Sequence, residues 1–356
     1  MNRICVHPFR RVSASPIPHL RAHIRAKLDY RTTIIQTRLF TSYDPNTKGS
    51  ASFHPSNRLA GRTCLITGGS SGIGFAIAER FLNEGVEHII LVGRSHERLA
   101  RAAAQLERPT ATAQPSQIDT ADNIVATRAP EEDQNQAQDR SKPPPGTLLD
   151  SSSRISLLVG DISEAAEWTR ELESAMQPVD ILINAAGIST STVLPRTDPS
   201  AISQVLRTNL EGSLLTSRAL IRASIRNRMK NRAGDGATPS KCIINISSLL
   251  ALKGGTGAVP YAASKAGVLG MTRSLTVEAA KTLRNEVIRF NAIVPGYIET
   301  PMIADFSQSE NDRLKEDIPL RRFGQPHEVA DAAVFLAENE YANNCVINLD
   351  GGLSAI

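Results

Sequence analysis

The sequence predicts an α/β fold in which helices cover both faces of a parallel sheet. After residue 60, short apolar runs alternate repeatedly with helix-compatible stretches, an order that builds parallel sheets. The first run, TCLIT at 63–67, leads directly into the glycine-rich string TGGSSGIG at 67–74. The chain has 356 residues, of which 41% are hydrophobic, and this is enough for one substantial core.

The glycine-rich string lies between the first predicted strand and a helical stretch, FAIAERFLNEG. A strand, a glycine turn and a helix start together present backbone N–H groups and a helix dipole to a pyrophosphate. Gly68 permits a tight turn, Gly72 the approach of a phosphate, and Gly74 the packing of helix on strand. An ordinary glycine turn is the alternative. The candidate cofactor-binding residues here are Gly68, Ser70, Ser71, Gly72, Ile73 and Gly74.

The second apolar run, HIILVG, ends at Gly93 and is followed by Arg94. An acidic residue at this place would hydrogen-bond the ribose 2′-hydroxyl and select NAD. Glycine removes that carboxylate, and the arginine supplies a cation suited to a phosphate. The sequence therefore predicts NADP(H) as the cofactor, with a solvated loop arginine as the alternative.

Two further strand ends contribute candidate cofactor-binding residues. Asp161, with Ile162 beside it, follows the run that ends in VGD and lies where an adenine amino group could be recognised. The string DILINAAG at 180–187 predicts a buried strand and a turn of small residues. Asn184 either ties strands together or contacts the cofactor. Room for the adenosine part of the cofactor is left by Ala185, Ala186 and Gly187.

Tyr261 and Lys265 are four residues apart, so a helix places them on one face, one turn from each other. A phenol with a pKa of about 10 is a poor acid at neutral pH. A fixed ammonium group nearby favours the phenolate and lowers that pKa. Tyr261 is therefore a candidate proton donor to a carbonyl oxygen, although such a pair also arises by chance on surface helices. Ser248 precedes this tyrosine by thirteen residues.

These strings resemble the short-chain dehydrogenase/reductase family in their order and spacing. The matches cover almost the whole region from 60 to 352 and comprise TGGSSGIG, Asp161, NAAG at 184–187, Asn209, Ser248, YAASK at 261–265 and PGYIETPM at 295–302. The resemblance implies a doubly wound Rossmann-type sandwich around a central seven-stranded parallel sheet. It also implies an NADP-dependent oxidoreductase that acts on CH–OH and C=O groups.

The resemblance also implies catalytic roles. Ser248 would hold the substrate carbonyl, Tyr261 would deliver the proton, and Lys265 would lower the phenol pKa and bind the nicotinamide ribose. Asn209 would hold a water that links the lysine to solvent. Ser247 competes with its neighbour for the serine role, but the thirteen-residue spacing favours Ser248.

The string PGYIETPM implies the nicotinamide side of the site. Ile298 and Thr300 would orient the carboxamide, whereas Pro295 and Gly296 are otherwise a simple turn at a strand end. One departure from the family lies in ANNCVINLDGG at 342–352, where a Thr-Gly pair is usual. Asn343 and Asn344 can adopt the turn dihedrals that glycine often occupies, so we expect the last strand to survive.

Within the family the chain looks most like 3-oxoacyl-[acyl-carrier-protein] reductases, on the strings IINISS, VPYAASKAG, RFNAIVPGYIETPM and IPLRRFGQPHEVADAAVFL. This implies NADPH-dependent reduction of a 3-oxoacyl thioester in type II fatty acid synthesis. The alternatives are a reductase or dehydrogenase for a steroid, sugar or polyketide carbonyl, and a catalytically silent scaffold subunit. A silent member would normally lose Tyr261, Lys265 or Ser248, and all three are present.

The same resemblance suggests partners. A homotetramer is favoured, with a hetero-oligomer as the alternative. An acyl carrier protein is acidic, so basic clusters near the cleft would steer its encounter, although charges at helix ends are usually just solvated. The candidate cations are Arg226, Arg228, Lys230, Arg232, Lys281 and Arg284.

Residues 1–50 hold nine of the 40 basic residues but two of the 36 acidic ones. They lack any acidic residue before Asp29, and a short basic amphipathic helix is available around Leu20, Ile24 and Leu28. This composition is typical of an organelle transit peptide, which predicts a mitochondrial matrix protein with one domain at 55–356. A disordered basic arm on a cytoplasmic enzyme, or one that touches nucleic acid, is the alternative. No interleaving of aromatic and basic residues supports nucleic-acid binding.

Residues 108–153 contain no aromatic residue, a PPP run and many polar residues. Such a segment cannot bury enough apolar surface to offset its ordering entropy, so we expect a disordered surface insertion. The four cysteines form no CxxC pair and the seven histidines show no metal-ligand spacing, so no metal site is predicted. No apolar run approaches the roughly 20 residues of a membrane span.

Overall fold

An eight-stranded sheet with helices on both faces forms the centre of the protein. The computed structural model describes residues 57–108, 143–230, 240–283, 286–303 and 307–356. The predicted leader at 1–50 and residues 109–142 of the predicted insertion lie outside the described residues. All described residues fall in one compact unit, and the domain limits at 55 and 356 remain predictions.

The strands are β1 (Thr63–Thr67), β2 (His88–Gly93), β3 (Thr147–Asp150), β4 (Ile155–Val159), β5 (Ile181–Asn184), β6 (Lys241–Ile246), β7 (Ile288–Pro295) and β8 (Val346–Leu349). They are arranged in the order β3-β4-β2-β1-β5-β6-β7-β8. All neighbours are parallel except β3 and β4. Buried on both faces, the central strands read as continuous apolar runs.

The helices are α1 (Gly72–Asn83), α2 (His96–Leu106), α3 (Thr169–Ala175), α4 (Pro199–Leu206), α5 (Gly212–Lys230), α6 (Val259–Thr282), α7 (Gln308–Asp317) and α8 (Pro326–Glu338). Alternate residues of each strand enter opposite cores, as the period of two requires. Ile66 packs with α1, α2 and α8 on one face, whereas Leu65 packs with α3, α5 and α6 on the other. Among the described helices, none combines the length and apolar character needed to cross a membrane.

Seven of the eight strands form the predicted seven-stranded parallel sheet, and β3 adds one antiparallel strand at its edge. The additional strand, β3, runs antiparallel to β4 and lies inside the segment predicted as a disordered insertion up to residue 153. Leu149 packs against the core while Leu148 remains 47% exposed. A strand of four residues with one inward side chain has no recognisable sequence pattern. Its structure comes from pairing with β4.

The chain reverses its direction of travel across the sheet between β1 and β5. From β1 it passes outward to β2 and β4, and it then returns to build β5, β6, β7 and β8 on the other side. In doubly wound sheets such a switch point opens a crevice at the carboxyl ends of the strands, where ligands bind.

The turn before β8 confirms the expectation for the paired asparagines. Asn344 has a φ of 61°, a left-handed value that asparagine tolerates better than most residues. The Oδ1 of Asn343 accepts a hydrogen bond of 3.0 Å from the backbone N–H of Phe290. The last strand therefore forms beside β7 without the usual Thr-Gly pair.

Candidate active site

The glycine turn occupies the crevice at the end of β1. Gly68 has a φ of 68°, and a Cβ atom added there would lie 2.9 Å from the Cα of Ala186. A Cβ on Gly74 would lie 2.4 Å from the carbonyl oxygen of Gly68. Side chains at these two positions would therefore fill the turn.

The first turn of α1 faces this crevice. Ser71 precedes the helix, and its side chain does not cap it, so the helix start retains N–H donors suited to an anion. Ser70, Ser71, Gly72 and Ile73 are all half-buried. The predicted phosphate-binding residues therefore occupy one short turn at the switch point.

Thr67 connects the two sides of the switch point, a role that the motif analysis missed. Its Oγ1 accepts hydrogen bonds of 3.1 Å from the backbone N–H groups of Ala185 and Ala186. Because the side chain is buried, it fixes the turn after β5 against the glycine turn. A residue with a hydroxyl group at the carboxyl end of a buried strand is the sequence signal that could have identified it.

Arg94 and Asp161, which follow neighbouring strands, meet at one end of the crevice. The guanidinium Nη1 lies 3.7 Å from the carboxylate Oδ2, and the arginine side chain is 64% exposed. The other carboxylate oxygen accepts from the N–H of Ser163 at 2.9 Å. Ile162 is 7% exposed and packs in the core, and its cofactor contact stays a prediction.

The side chain of Asn184 ties neighbouring elements together, which is the structural one of its two predicted roles. Its Nδ2 donates to the Oδ1 of Asn245 at 2.8 Å, and its Oδ1 accepts from the Oγ1 of Thr216 at 2.7 Å. The side chain thus joins β5, β6 and α5 within the core. This supports the structural role, whereas direct contact of Asn184 with the cofactor stays a prediction.

Lys265 lies at the opposite end of the crevice from Arg94. Its side chain is 4% exposed, and its Nζ donates a 2.8 Å hydrogen bond to the carbonyl oxygen of Ile246. A Cβ on Gly187 would lie 3.3 Å from this amine, so the small residue leaves space for it. Burial lowers the pKa of Lys265 to about 8, because the charged form loses hydration.

Tyr261 stands beside this lysine, whose Nζ is 5.7 Å from the ring centroid. Burial raises the pKa of the phenol above its ordinary value, and a hydrogen bond with the Ser248 side chain partly opposes that shift. In the chain without a bound cofactor, the pKa of Tyr261 is therefore raised, and the prediction that Lys265 lowers it is wrong for this state. The physical reason is that loss of hydration disfavours the phenolate more than the neighbouring groups stabilise it.

The two adjacent serines have different tasks. Ser247 is buried and its Oγ donates to the carbonyl oxygen of Lys265 at 2.8 Å, so it holds α6 against β6. Ser248 accepts a 3.2 Å hydrogen bond from the N–H of Leu250 and contacts Tyr261. The structure therefore brings Ser248, rather than its neighbour, to the phenol.

Asn209 lies in a π-helical segment, Arg207–Glu211, between α4 and α5. Its Oδ1 accepts from the N–H of Ile188 at 2.9 Å, while its Nδ2 donates to the carbonyl of Ile188 at 2.9 Å and to Ser264 at 3.0 Å. This wide turn, a geometry frequent at functional sites, joins α6 to the turn after β5. The water relay assigned to Asn209 stays a prediction.

The segment after β7 closes the crevice beside the glycine turn. Thr300 approaches that turn, since a Cβ on Gly72 would lie 3.4 Å from its Cγ2. Pro295 is buried at the strand end, and a Cβ on Gly296 would lie 2.8 Å from the Cα of Asp350. Ile298 is 6% exposed and packs in the core, and its role toward the carboxamide stays a prediction.

Comparisons with known proteins agree with this geometry. Residues 62–136 match the family described as short chain dehydrogenase, and residues 123–354 match the one described as Enoyl-(Acyl carrier protein) reductase. The chain is 33% identical over 292 residues to a 3-oxoacyl-[acyl-carrier-protein] reductase of Bos taurus, covering 82% of this chain and 98% of that protein. It is likewise 33% identical over 298 residues to one of Aquifex aeolicus, covering 83% and 98%.

Two solved structures share the fold. A putative NAD(P) dependent gluconate 5-dehydrogenase from Beutenbergia cavernae with bound NADP has a TM-score of 0.63 at 26% identity, covering 85% of this chain and all of that one. A putative short-chain alcohol dehydrogenase from Sinorhizobium meliloti has a TM-score of 0.62 at 30% identity, covering 83% and 98%.

Proposed function

The chain belongs to the short-chain dehydrogenase/reductase family, and from that premise we propose that it reduces a 3-oxoacyl thioester on an acyl carrier protein to the 3-hydroxyacyl form, with NADPH as reductant. The observation that carries this proposal is the meeting of Ser248, Tyr261 and Lys265 at one end of a crevice whose centre is a glycine turn. This chain matches 98% of the length of each of the two relatives named as reductases of this type.

The residues of the crevice fit a dinucleotide. The glycine turn leaves a cradle that side chains would fill, and the start of α1 supplies N–H donors for a pyrophosphate. Arg94, 64% exposed, offers its guanidinium to a 2′-phosphate. When bound, the cofactor supplies the hydride that the carbonyl carbon accepts.

The chain's own residues manage the carbonyl oxygen. Ser248 donates a hydrogen bond to it, and Tyr261 transfers its phenolic proton as negative charge develops there. Burial raises the pKa of the phenol, so it remains protonated, which is the form a reduction requires. Lys265, charged below its pKa of about 8, stabilises the phenolate that remains after the transfer.

An arginine ridge on α5 supports an acidic protein as the substrate carrier. Arg218, Arg222 and Arg226 contact the buried carboxylate of Glu173 at 3.6, 2.7 and 2.6 Å, and each is 42% to 50% exposed. One carboxylate balances only part of their charge, so the ridge presents net positive charge to solvent. Of the other predicted cations, Lys281 is exposed, whereas the side chains of Arg228, Lys230, Arg232 and Arg284 lie outside the described residues.

The test is a comparison of substrates on the purified protein. NADPH oxidation is followed with acetoacetyl carrier protein and with free ketones of the steroid, sugar and polyketide classes. We expect a kcat/KM for the carrier-protein thioester at least tenfold above that of any free ketone. A preference for a free ketone would assign the alternative reductase, and turnover of none would favour the scaffold role.

We further propose that the enzyme works in the mitochondrial matrix as a homotetramer. The basic composition of residues 1–50 supports the first part, and family resemblance supports the second. A fluorescent fusion of residues 1–55 that remains in the cytoplasm would remove the location. Light scattering coupled to size exclusion measures the oligomer mass, and a mass other than four subunits would remove the tetramer.

A further inference from the structure

A cavity of about 390 Å³ is lined in part by Leu249 and Leu250, the two residues that follow Ser248 in the chain. Its walls are the loop 249–255, the ring of Tyr297, the inner side of α7 and the segment 353–356. We call it the tail pocket. Its apolar lining comprises Leu249, Leu250, Tyr297, Leu314, Leu353 and Ile356. Such a volume lies within the range of small-molecule sites.

The far wall of the tail pocket is held by Lys253. Its Nζ donates to the backbone oxygen of Leu353 at 3.0 Å and to a backbone oxygen of Ile356 at 3.1 Å. Leu353 is 7% exposed and anchored among apolar neighbours, whereas Ile356 is 73% exposed. The outer end of the segment 353–356 therefore depends on this lysine for its position against the loop.

Building on the proposed function, with the acyl chain of the substrate in the tail pocket, we propose that Lys253 limits the length of that chain by holding the segment 353–356 in place. Leu249 and Leu250 line the pocket and directly follow Ser248, the residue proposed to hold the carbonyl. Each methylene buried there strengthens binding until the chain meets the segment 353–356. Lys253 is a positioning residue, because it acts through that segment.

Gly254 is a position at which a larger side chain can be added to the lining of the pocket. It lines the cavity, and a Cβ added there meets no heavy atom within 4 Å. Its φ lies outside the left-handed range, so a larger residue introduces no backbone strain. Gly254→Leu therefore shortens the pocket, whereas loss of the Lys253 amine lengthens it.

The experiment measures kcat/KM of the full chain with NADPH and 3-oxoacyl thioesters of increasing even chain length, from the acetoacetyl compound upward. We expect Lys253→Met to raise the ratio of long-chain to acetoacetyl kcat/KM about tenfold, mainly through KM, and Lys253→Arg to keep the wild-type ratio. Gly254→Leu should lower that ratio about tenfold, with Gly254→Ala between, as pocket discrimination by single methylenes permits.

The outcomes separate the two proposals. If wild type reduces thioesters but neither Lys253→Met nor Gly254→Leu shifts the ratio, the tail pocket is wrong and the proposed function stands. A uniform fall at all chain lengths in Lys253→Met would make the lysine merely structural. If wild type reduces no thioester, both proposals are overturned. Thermal unfolding checks each variant, and Gly254→Leu carries the test if Lys253→Met does not fold.

Discussion

The Nζ of Lys265 is anchored 2.8 Å from the carbonyl oxygen of Ile246 at the end of β6. That contact fixes the amine inside the sheet-facing side of α6, where 4% of the residue is exposed. A carbonyl dipole returns only part of the hydration that an ammonium group loses on burial. The lysine is thus held close to Tyr261. Its pKa of about 8 lies near neutral pH.

This pKa predicts how stability depends on pH. An unfolded lysine titrates near 10.4, so between pH 8 and 10 the unfolded chain binds more protons at this site than the folded chain. Stability then rises with pH, and below pH 8 the burial penalty is fully present. Relative to Lys265→Met, wild type should gain at most about 1.4 kcal/mol per pH unit in this window. Denaturant unfolding of both proteins at pH 7, 8, 9 and 10 measures the difference, and parallel curves would contradict the assigned pKa.

Tyr261→Phe removes the proton donor and retains the ring. We expect kcat to fall by a factor of about 10² to 10⁴, while the Kd for NADPH stays within about twofold of wild type. Stopped-flow turnover and fluorescence titration measure the two quantities. Retained turnover would contradict the proton-donor role, whereas joint loss of turnover and cofactor binding would point to misfolding.

Much of the site could be predicted because strand ends and glycines leave local signatures. Residue spacing predicts the glycine turn at Gly68 and Gly74 and the pair Tyr261 and Lys265. The choice of Ser248 over Ser247 rests on family resemblance as well as on spacing. The structure places Ser248 in contact with Tyr261 and the Nζ of Lys265 5.7 Å from the ring centroid, while the catalytic roles of these residues stay predictions.

Other features depended on contacts between distant segments. Asn184 and Ile162 occupy motif positions, yet their side chains lie in the core. Asn184 is hydrogen-bonded to Asn245 and Thr216, and Ile162 packs among apolar residues that include those of α5. Strand β3 required the edge of β4. The direction of the Tyr261 pKa shift required the degree of burial, which residue spacing does not report.

The adjacent serines allow a matched comparison. Ser248→Ala should lower kcat about 100-fold, because the carbonyl oxygen loses a preorganised donor, and it should change stability little. Ser247→Ala should lower the free energy of unfolding by about 1 kcal/mol, since the bond to the Lys265 carbonyl is lost, with a smaller effect on kcat. Steady-state rates and denaturant unfolding of both variants distinguish the catalytic role from the structural one. Reversed effects would exchange the two roles.

Gly74→Ala tests the close packing of the glycine turn. The new Cβ would lie 2.4 Å from the Gly68 carbonyl oxygen, so the helix or the turn has to move. We expect a destabilisation of about 1 to 3 kcal/mol together with weaker NADPH binding. Gly270→Ala in α6 is the control, because its Cβ meets nothing within 4 Å. That control should raise stability by about 0.5 to 1 kcal/mol, and equal effects of both variants would remove the steric argument.

Arg94 tests the selection of the phosphorylated cofactor. Its guanidinium lies 3.7 Å from Asp161 and is 64% exposed, so a bound 2′-phosphate would exchange a loose ion pair for charge-assisted hydrogen bonds. Arg94→Ala should raise the KM for NADPH at least tenfold and leave the KM for NADH nearly unchanged. Arg98→Ala, one turn into α2 and also exposed, controls for the loss of a positive charge. Added salt should weaken NADPH binding more in wild type than in Arg94→Ala. Equal losses with both cofactors would show that the arginine supports the fold of the loop instead of reading the phosphate.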